Sequence, residues 1–548
     1  MKKPPIQRRV KQVDTSGQFS LLIPPESDES PPPAPVTSGQ PTFVDPNPGR
    51  LQVGGVFLPD HLKQCGIKDV FIIRQLLNEQ DWSAFEAGYL AGGRHPYAPR
   101  AMMGLILHGI MRGQSSLRDL ERLACVDLGC WWLTGGIMPD HSVIGRFIQQ
   151  HEALLTDDFF ESLTRSVLKA TQSGTSYTAG DGTVVEAAAS RYGAVKREAL
   201  EKQITKAEEH LEAVTDDEVK AAKARSALEQ LNKAEAILAE REAKRKANGK
   251  DPATTRINPK EAEAVNQPLK GQGYGTAYKP SVIANEQRII LGHAVEPSSE
   301  TAVVADLIGS AQAQGELEES SWDAGYFCDG VLELEEKLEV PLLIPEGRTN
   351  AKNFKKASDK QYPKSHFHYD ESTDTYRCPA MEVLGKVGRY RGNANNPAYT
   401  EYGTSACEGC SQRKACTRSK KGRRIKRYAG DVRKESMRAK FQDESVQQRY
   451  RQRAGRVEPV FSQLKGRQGL NRFRRTGLAS VRLEFALHAL AYNLGRAVAL
   501  CFGLIWSINS LKKPKYAIRF AEKVRICCRA IFWSETWLRH SEGVFRRA

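Results

Sequence analysis

Ser176-Tyr177-Thr178-Ala179-Gly180-Asp181-Gly182-Thr183-Val184-Val185 is the stretch on which the fold class turns. β-Branched and aromatic residues fill it and an Asp-Gly pair interrupts it, so it reads as a short strand ending in a turn with a carboxylate at its tip. Ser320-Ser321-Trp322-Asp323-Ala324-Gly325-Tyr326 has the same character. Tyr278 to Ala284 and Arg288 to Val295 flank Asn285-Glu286-Gln287 and suit a β-hairpin, and Val340 to Ile344 is a further short strand. Helical patterns at Thr301 to Gln312 and Val331 to Leu338 alternate with these strands, which predicts a mixed α/β core. Gly271-Gln272-Gly273-Tyr274-Gly275 lacks the spacing and the following apolar helix of a phosphate loop, which excludes a dinucleotide site there.

Around this core the chain changes composition several times. Residues 1–55 are rich in Pro, Ser and Gly and predict a disordered leader. Residues 56–173 are helical: Ser116 can cap a helix carrying Leu117, Leu120 and Leu123, and Pro139-Asp140-His141-Ser142 opens another with Val143, Ile144, Phe147 and Ile148 on its apolar side. Such short helices suit either a DNA reader or a scaffold. Core residues 174–194 and 251–350 are separated at 195–250 by a charged segment with Leu200, Ile204, Ala207, Leu211 and Val214 at heptad spacing. With a capping box at Thr215-Asp216-Asp217-Glu218, that segment predicts a helical hairpin inserted into the core. Residues 351–440 read as an irregular, basic, cysteine-containing insertion. Residues 441–510 are helical, with Pro459 expected near a helix start and Glu458 at its N-terminal boundary. Residues 511–548 form a basic tail with Trp533 and Trp537.

The chain has 548 residues, room for several domains at roughly 100–200 residues each. Its 40% hydrophobic content excludes a wholly disordered protein. The net charge is +16, and the stretch from Ser411 to Arg475 alone carries 22 Lys and Arg against 5 Asp and Glu. The rest is therefore close to neutral. A basic segment on a neutral protein points to a polyanion such as DNA rather than to general stickiness or membrane binding. No secretory h-region follows the basic N-terminus, and the apolar run from Ala497 to Trp506 is too short to span a bilayer, so a buried helix is expected. Eleven cysteines, an odd number, fit a reducing cytosol better than a disulfide framework.

Three acids sit in unusual settings: Asp181 at a strand end, Asp323 between Trp322 and Ala324-Gly325, and Glu458 between Val457 and Pro459 in an otherwise basic segment. Carboxylates in apolar contexts are costly unless paired, solvated or metal-bound. Three that converge could hold two Mg²⁺ ions for in-line phosphoryl displacement, whereas singly each is a turn residue or an ion-pair partner. Cys378, Cys407, Cys410 and Cys416 suit a closed tetrahedral zinc site, with four reduced thiols as the alternative.

The run from Asp181 to Ser190 resembles the first-aspartate motif of bacterial insertion-sequence transposases of the DDE class. Trp322-Asp323-Ala324-Gly325-Tyr326 is similar to the second-aspartate motif. Tyr450-Arg451-Gln452-Arg453, then Val457-Glu458-Pro459-Val460-Phe461 and Gln463-Leu464-Lys465, is similar to the glutamate motif. Upstream, His95 to Leu107, Ser116 to Glu121 and Trp132 to Phe147 resemble the same group's N-terminal helical domain. The resemblance runs from about residue 58 to 500, with one departure: four residues separate Arg453 from Glu458 where related families have three.

The resemblance implies a ribonuclease H-like core with Asp181 and Asp323 on adjacent strands and Glu458 on a helix across from them. It implies catalysis by two Mg²⁺ or Mn²⁺ ions, cleavage at the element's ends, and attack of the freed 3′-hydroxyl on target DNA. Lys465, Arg453, Arg456, Arg467 and Arg472 would hold phosphates of double-stranded DNA. Related transposases often carry a similar cysteine set between the second aspartate and the glutamate, so Cys378, Cys407, Cys410 and Cys416 could hold a structural Zn²⁺, with four reduced thiols as the alternative. A cytoplasmic, nucleoid-associated homo-oligomer on DNA is expected, without a membrane. The rival expectations are a catalytically inactive or domesticated DNA-binding protein, a ribonuclease H-like nuclease without strand transfer, and a scaffold built on the helical hairpin.

Overall fold

The computed structural model describes residues 41–90, 94–214, 217–269, 271, 273–347, 362–393 and 397–510. Most of the expected Pro-rich leader, the tail with Trp533 and Trp537, and Thr215-Asp216 of the expected capping box lie outside the described residues. The chain divides into two compact units, one comprising Met1–Thr171 with Asn493–Ala548 and the other Gln172–Tyr492.

In the first unit the capping chemistry places the helices. Ser116 Oγ accepts from the Asp119 amide (3.1 Å) and starts Leu117–Val126. Asp140 accepts from the Ser142 and Val143 amides and starts His141–Gln150. These satisfy amides that a helix N-terminus leaves without partners. Leu120, Leu123, Ile144, Phe147 and Ile148 are buried as their spacing predicts, around the almost wholly enclosed helix Pro99–Met111. Asn493 Nδ2 donates to Thr164 Oγ1 (3.1 Å), so the buried amide has a partner.

The second unit is built on a mixed sheet. Strand β1 (Tyr177–Gly182) pairs antiparallel with β2 (Gly273–Asn285), which pairs antiparallel with β3 (Ile290–Glu296). On the other side of β1 lie β4 (Glu319–Ser321) and β5 (Leu342–Leu343), both parallel. The spatial order is thus β3-β2-β1-β4-β5. The first half of β2 also pairs with Val265–Leu269 and Val185–Glu186. Antiparallel strands need only a turn, and Asn285 supplies it, its Oδ1 accepting from the Ile289 amide (2.8 Å). Parallel strands need a crossover, provided here by the segment containing α-helix Val304–Gln314.

The parallel register sets Thr178 opposite Ser320 and Ala179 opposite Ser321. One residue further, the Trp322 indole lies directly over Gly180. A Cβ on Gly180 would fall inside the contact radius of three ring carbons. Trp322 is fully buried and donates Nε1–H to Ser320 Oγ (2.9 Å), so the ring has one orientation and its polar edge is satisfied.

Two insertions leave this core. The first is the expected hairpin, α1 (Arg197–Ala213) and α2 (Glu218–Ala247). Its cap is Asp217, which accepts from the Lys220 amide (3.1 Å). Leu200 and Ile204 of the heptad stripe pack with Ala234, Leu238, Ile257 and Ala262. At its neck Val195 and Ile257 exchange two backbone hydrogen bonds (2.8 and 2.9 Å).

The second insertion corrects the expectation of irregular chain. Strands His368–Asp370, Thr375–Arg377, Val383–Tyr390, Tyr399–Gly403 and Arg424–Arg427 form a five-stranded antiparallel sheet in sequence order. Its core is Phe367, Tyr376, Leu384, Tyr402 and Ile425. Each strand buries about one large side chain and exposes charged ones, so alternation is too sparse to read. Helix α3 (Arg453–Gly466) is a second correction. Pro459 lies inside it rather than at its start. A proline there leaves the carbonyl four residues back without its helical donor. That carbonyl, Gly455 O, accepts instead from Arg288 Nε (2.9 Å) at the β2–β3 turn.

The long helix α4 (Leu478–Ser510) is apolar enough over Leu478–Phe502 to cross a membrane by length and composition, but two thirds of its most apolar window is buried in the protein. In its first half His488 is enclosed. With the Gln468 amide turned so that its nitrogen faces the ring, it donates to Nδ1 (2.8 Å) and its oxygen accepts from the Tyr492 amide (3.1 Å). Burial drives the imidazole pKa down to about 3 from 6.5, and Arg474 adds to this.

Two outcomes are expected. Gly180→Ala should destabilise the second unit by about 1–3 kcal/mol in urea melts, because the indole has no room to yield. Below pH 6.5 the unfolded chain binds a proton at His488 that the folded chain refuses, so stability must fall with acidification. By pH 5 that contribution is about 2 kcal/mol. A His488→Gln variant should show a correspondingly shallower slope between pH 6.5 and 5.

Candidate active site

Asp181 stands in β1 opposite Val282, with Gly182 after it opposite Ser281. Its Oδ1 accepts from the Gly182 amide (2.9 Å) and its Oδ2 lies 3.6 Å from Arg453 Nη1 of α3. Burial pushes its carboxyl above the ordinary range. Arg453 and the Gly182 amide pull it down, and the negative charges of Asp323 and Glu300 push it further up. The site thus gathers negative charge around a half-buried carboxylate and counters it with a single guanidinium.

Asp323 lies two residues past the end of β4. Its Oδ1 caps the one-turn helix Ala324–Tyr326 by accepting from the Gly325 amide (2.7 Å), leaving the other oxygen uncommitted to that turn. Tyr326, which closes the turn, is buried with its ring 4.9 Å from Trp322. Burial raises its phenol above the usual range, and Glu300, Asp181 and Asp323 all add to this. The register that places Trp322 over Gly180 therefore also sets Asp181 and Asp323 at corresponding ends of adjacent parallel strands.

Glu458 is exposed on α3, whose buried face, Arg456, Val457, Val460 and Leu464, lies against the sheet. It is not drawn into contact with the two aspartates. Among the described residues no three His, Cys, Asp or Glu side chains stand close enough to hold a metal ion. Tyr450, half-buried before α3, feels Arg453, Asp323 and Asp181, which ties the Tyr450–Arg453 segment to the site.

The five cations expected to meet DNA stand in different settings. Lys465 is anchored at the end of β1, Nζ donating to Thr183 Oγ1 (2.6 Å) and Val184 O (3.0 Å). Arg453 faces Asp181. Arg456 is only 6% exposed and pairs with Glu286 (3.0 Å) and Gln452 (2.9 Å), so it braces α3 rather than facing solvent. Arg472 clamps the carbonyls of Ala187 (3.0 Å) and Ala189 (2.5 Å). Arg467 alone of the five is exposed without such a tie in view.

Much of the basic surplus is likewise internal. Arg427 pairs with Glu435, Arg438 with Glu346, Lys440 with Glu335, Arg449 with Glu319, and Arg433 with Asp329 and Glu336. Exposed positive charge concentrates at Lys414, Arg418, Lys420, Lys421, Arg424 and Lys426 on the second insertion.

Cys378, Cys407, Cys410 and Cys416 line one small cavity beside Phe367 and Leu384 without standing close enough to hold a metal ion. Burial raises the Cys416 thiol against the pull of Arg423, and the other three cysteines add to the rise. Gly422, at φ +79°, brings the chain so close to Cys407 that a side chain there would meet its Cβ at 2.9 Å.

Sequence reasoning missed Glu300 and the pairing of Arg453 with Asp181. Glu300 lies in a run with no distinguishing spacing. The pairing joins residues far apart in the chain, and only the packing of α3 on β1 reveals it.

Two family models match the chain. Transposase DDE domain matches residues 377–498, which contain Glu458, Lys465 and the four cysteines but neither aspartate. Transposase domain (DUF772) matches residues 67–150, the helices of the first unit. Among curated proteins none matches the chain. A DUF772 region followed by a DDE domain, in one chain whose α/β unit brings two aspartates to neighbouring strand ends, places this protein among the insertion-sequence transposases of the DDE class.

Proposed function

We propose that this transposase cuts the ends of its element and joins the freed 3′-hydroxyls to target DNA on a ribonuclease H-like core, with Asp181, Asp323 and Glu458 as its acids. The observation that carries this is the strand register, which sets the two aspartates side by side at the ends of parallel strands β1 and β4 within the order β3-β2-β1-β4-β5. That order is compatible with the ribonuclease H-like reading.

The donor set fits hard divalent cations, Mg²⁺ or Mn²⁺: carboxylate oxygens, like charges pressed together, and no soft ligand nearby. Two such ions, when bound, would supply charge neutralisation at the phosphate and a nucleophile active at neutral pH. The chain's own residues do the positioning. Arg453 holds Asp181 in place and tempers its charge, and Lys465 fixes the end of β1. Glu458, exposed on α3, would join the two aspartates in holding the cations, whose charge neutralisation it would share. Double-stranded DNA, as element end and as target, runs along the exposed cations of Lys414 to Lys426 and Arg467, and a homo-oligomer synapses two ends. Closure of the cysteine cluster on a Zn²⁺ stabilises the sheet that carries those cations.

Asp181→Asn, Asp323→Asn and Glu458→Gln should each reduce metal-dependent end cleavage to below about one thousandth of wild type while leaving end binding nearly intact. A variant that cuts normally removes its residue from the site, and cleavage without joining to target would make the protein a nuclease only. Metal analysis of purified protein should find about one zinc per chain, lost in the Cys407→Ser, Cys410→Ser double variant together with the sheet's resistance to proteolysis.

A further inference from the structure

An open groove of about 730 Å³ lies along the chain that follows β1. Its lining begins at Glu186, five residues on from Asp181, and takes in Arg191, Tyr192, Lys260 and Arg472. Five residues of fully extended chain span no more than about 18 Å. That is the length of about five nucleotides in a stacked strand, so a DNA strand at Asp181 has the groove within reach.

Tyr192 stands at this groove and is 96% exposed. The turn that carries it, Arg191–Gly193, is pinned at several points. Ser190 Oγ accepts from the Tyr192 amide (3.3 Å). Asn258, only 3% exposed, donates from Nδ2 to Ser190 O (3.0 Å). Arg191 Nε donates to Glu186 (3.1 Å), and the backbone bonds between Val195 and Ile257 close the segment two residues further on. The backbone is therefore fixed while the ring it carries is left in solvent, with both faces open.

A single exposed aromatic is ordinary on a protein surface. This one is set apart by its neighbours. The groove is lined by three cations, Arg191, Lys260 and Arg472, against one acid, Glu186. Arg472 is held in place by the carbonyls of Ala187 (3.0 Å) and Ala189 (2.5 Å), so its charge is fixed there. An open ring beside a net positive groove matches the chemistry of an unpaired nucleic acid strand, whose bases stack on aromatic faces while its phosphates meet cations.

We propose that Tyr192 stacks an unpaired base at the end of a DNA strand, with the adjoining phosphates along Lys260 and Arg472. This rests on the DNA reading given above and adds a contact that a paired duplex does not make, because its bases already stack on one another.

Fluorescence anisotropy of the full chain with two probes tests it: a single strand of about fifteen thymidines and a blunt duplex of the same length. Stacking tolerates any sequence, so the element's own end is not needed. Tyr192→Ala should weaken single-strand binding by about fivefold or more, and Tyr192→Phe by less than about twofold, with duplex binding and circular dichroism unchanged. Lys260→Ala should lower the slope of log affinity against log salt for the single strand by about 0.7. Duplex binding alone by the wild type, or single-strand affinity within about twofold of wild type in Tyr192→Ala, overturns the assignment. Equal losses in Tyr192→Phe and Tyr192→Ala also overturn it, since the contact is then a hydrogen bond from the hydroxyl. Absence of binding to either probe by the wild type overturns the DNA reading and this contact with it.

Discussion

The second unit depends on one close contact, the Trp322 indole laid on the bare Cα of Gly180. Parallel strands so short (three residues in β4, two in β5) have few hydrogen bonds with which to define register. A one-residue slip would turn every side chain of β4 to the other face. The indole prevents this because it fits over one residue only, the one without a Cβ. Asp181 and Asp323 each follow a member of that contact by one position, so the lock that sets register also sets the spacing of the acids.

Charge in this unit is managed locally. The acids at the tip of β1 repel one another, and burial of Asp181 worsens this. Arg453, 3.6 Å from Asp181, offsets it, and Lys279 lies 3.6 Å from Glu300. At least seven of the 22 cations in 411–475 are likewise occupied in ion pairs, so net charge overstates the surface available to DNA. What remains exposed is a compact group on the second insertion. Binding energy from that group would be steeply salt-dependent, since each phosphate contact releases a counterion.

How much of this could be read in the chain itself varied with the range of the interaction. Caps at Ser116 and Asp140, the β2–β3 hairpin and the paired helices of the first insertion depend on neighbours within a few residues, and they stand as expected. The two aspartates were legible because Gly and Trp flank them in strand-like runs. Pro459 misled because its helical role depends on Arg288, distant in sequence, taking up the carbonyl it orphans. Arg456 read as a surface cation because its partner, Glu286, lies in a distant turn. The five-stranded sheet was hidden because its strands bury about one residue each. Glu300 had no local signature at all.

The neck of the helical hairpin has a consequence for how such a protein can change. Val195 and Ile257 close a two-bond clasp where the arm leaves and rejoins the core, so the chain enters and exits at one point. Beyond the clasp Leu200, Ile204 and Leu238 still pack on Ile257 and Ala262, and Arg241 donates to the Glu263 and Ala264 carbonyls (2.8 and 3.1 Å). Variation is therefore cheapest on the arm's exposed face, where neither that packing nor the clasp is touched.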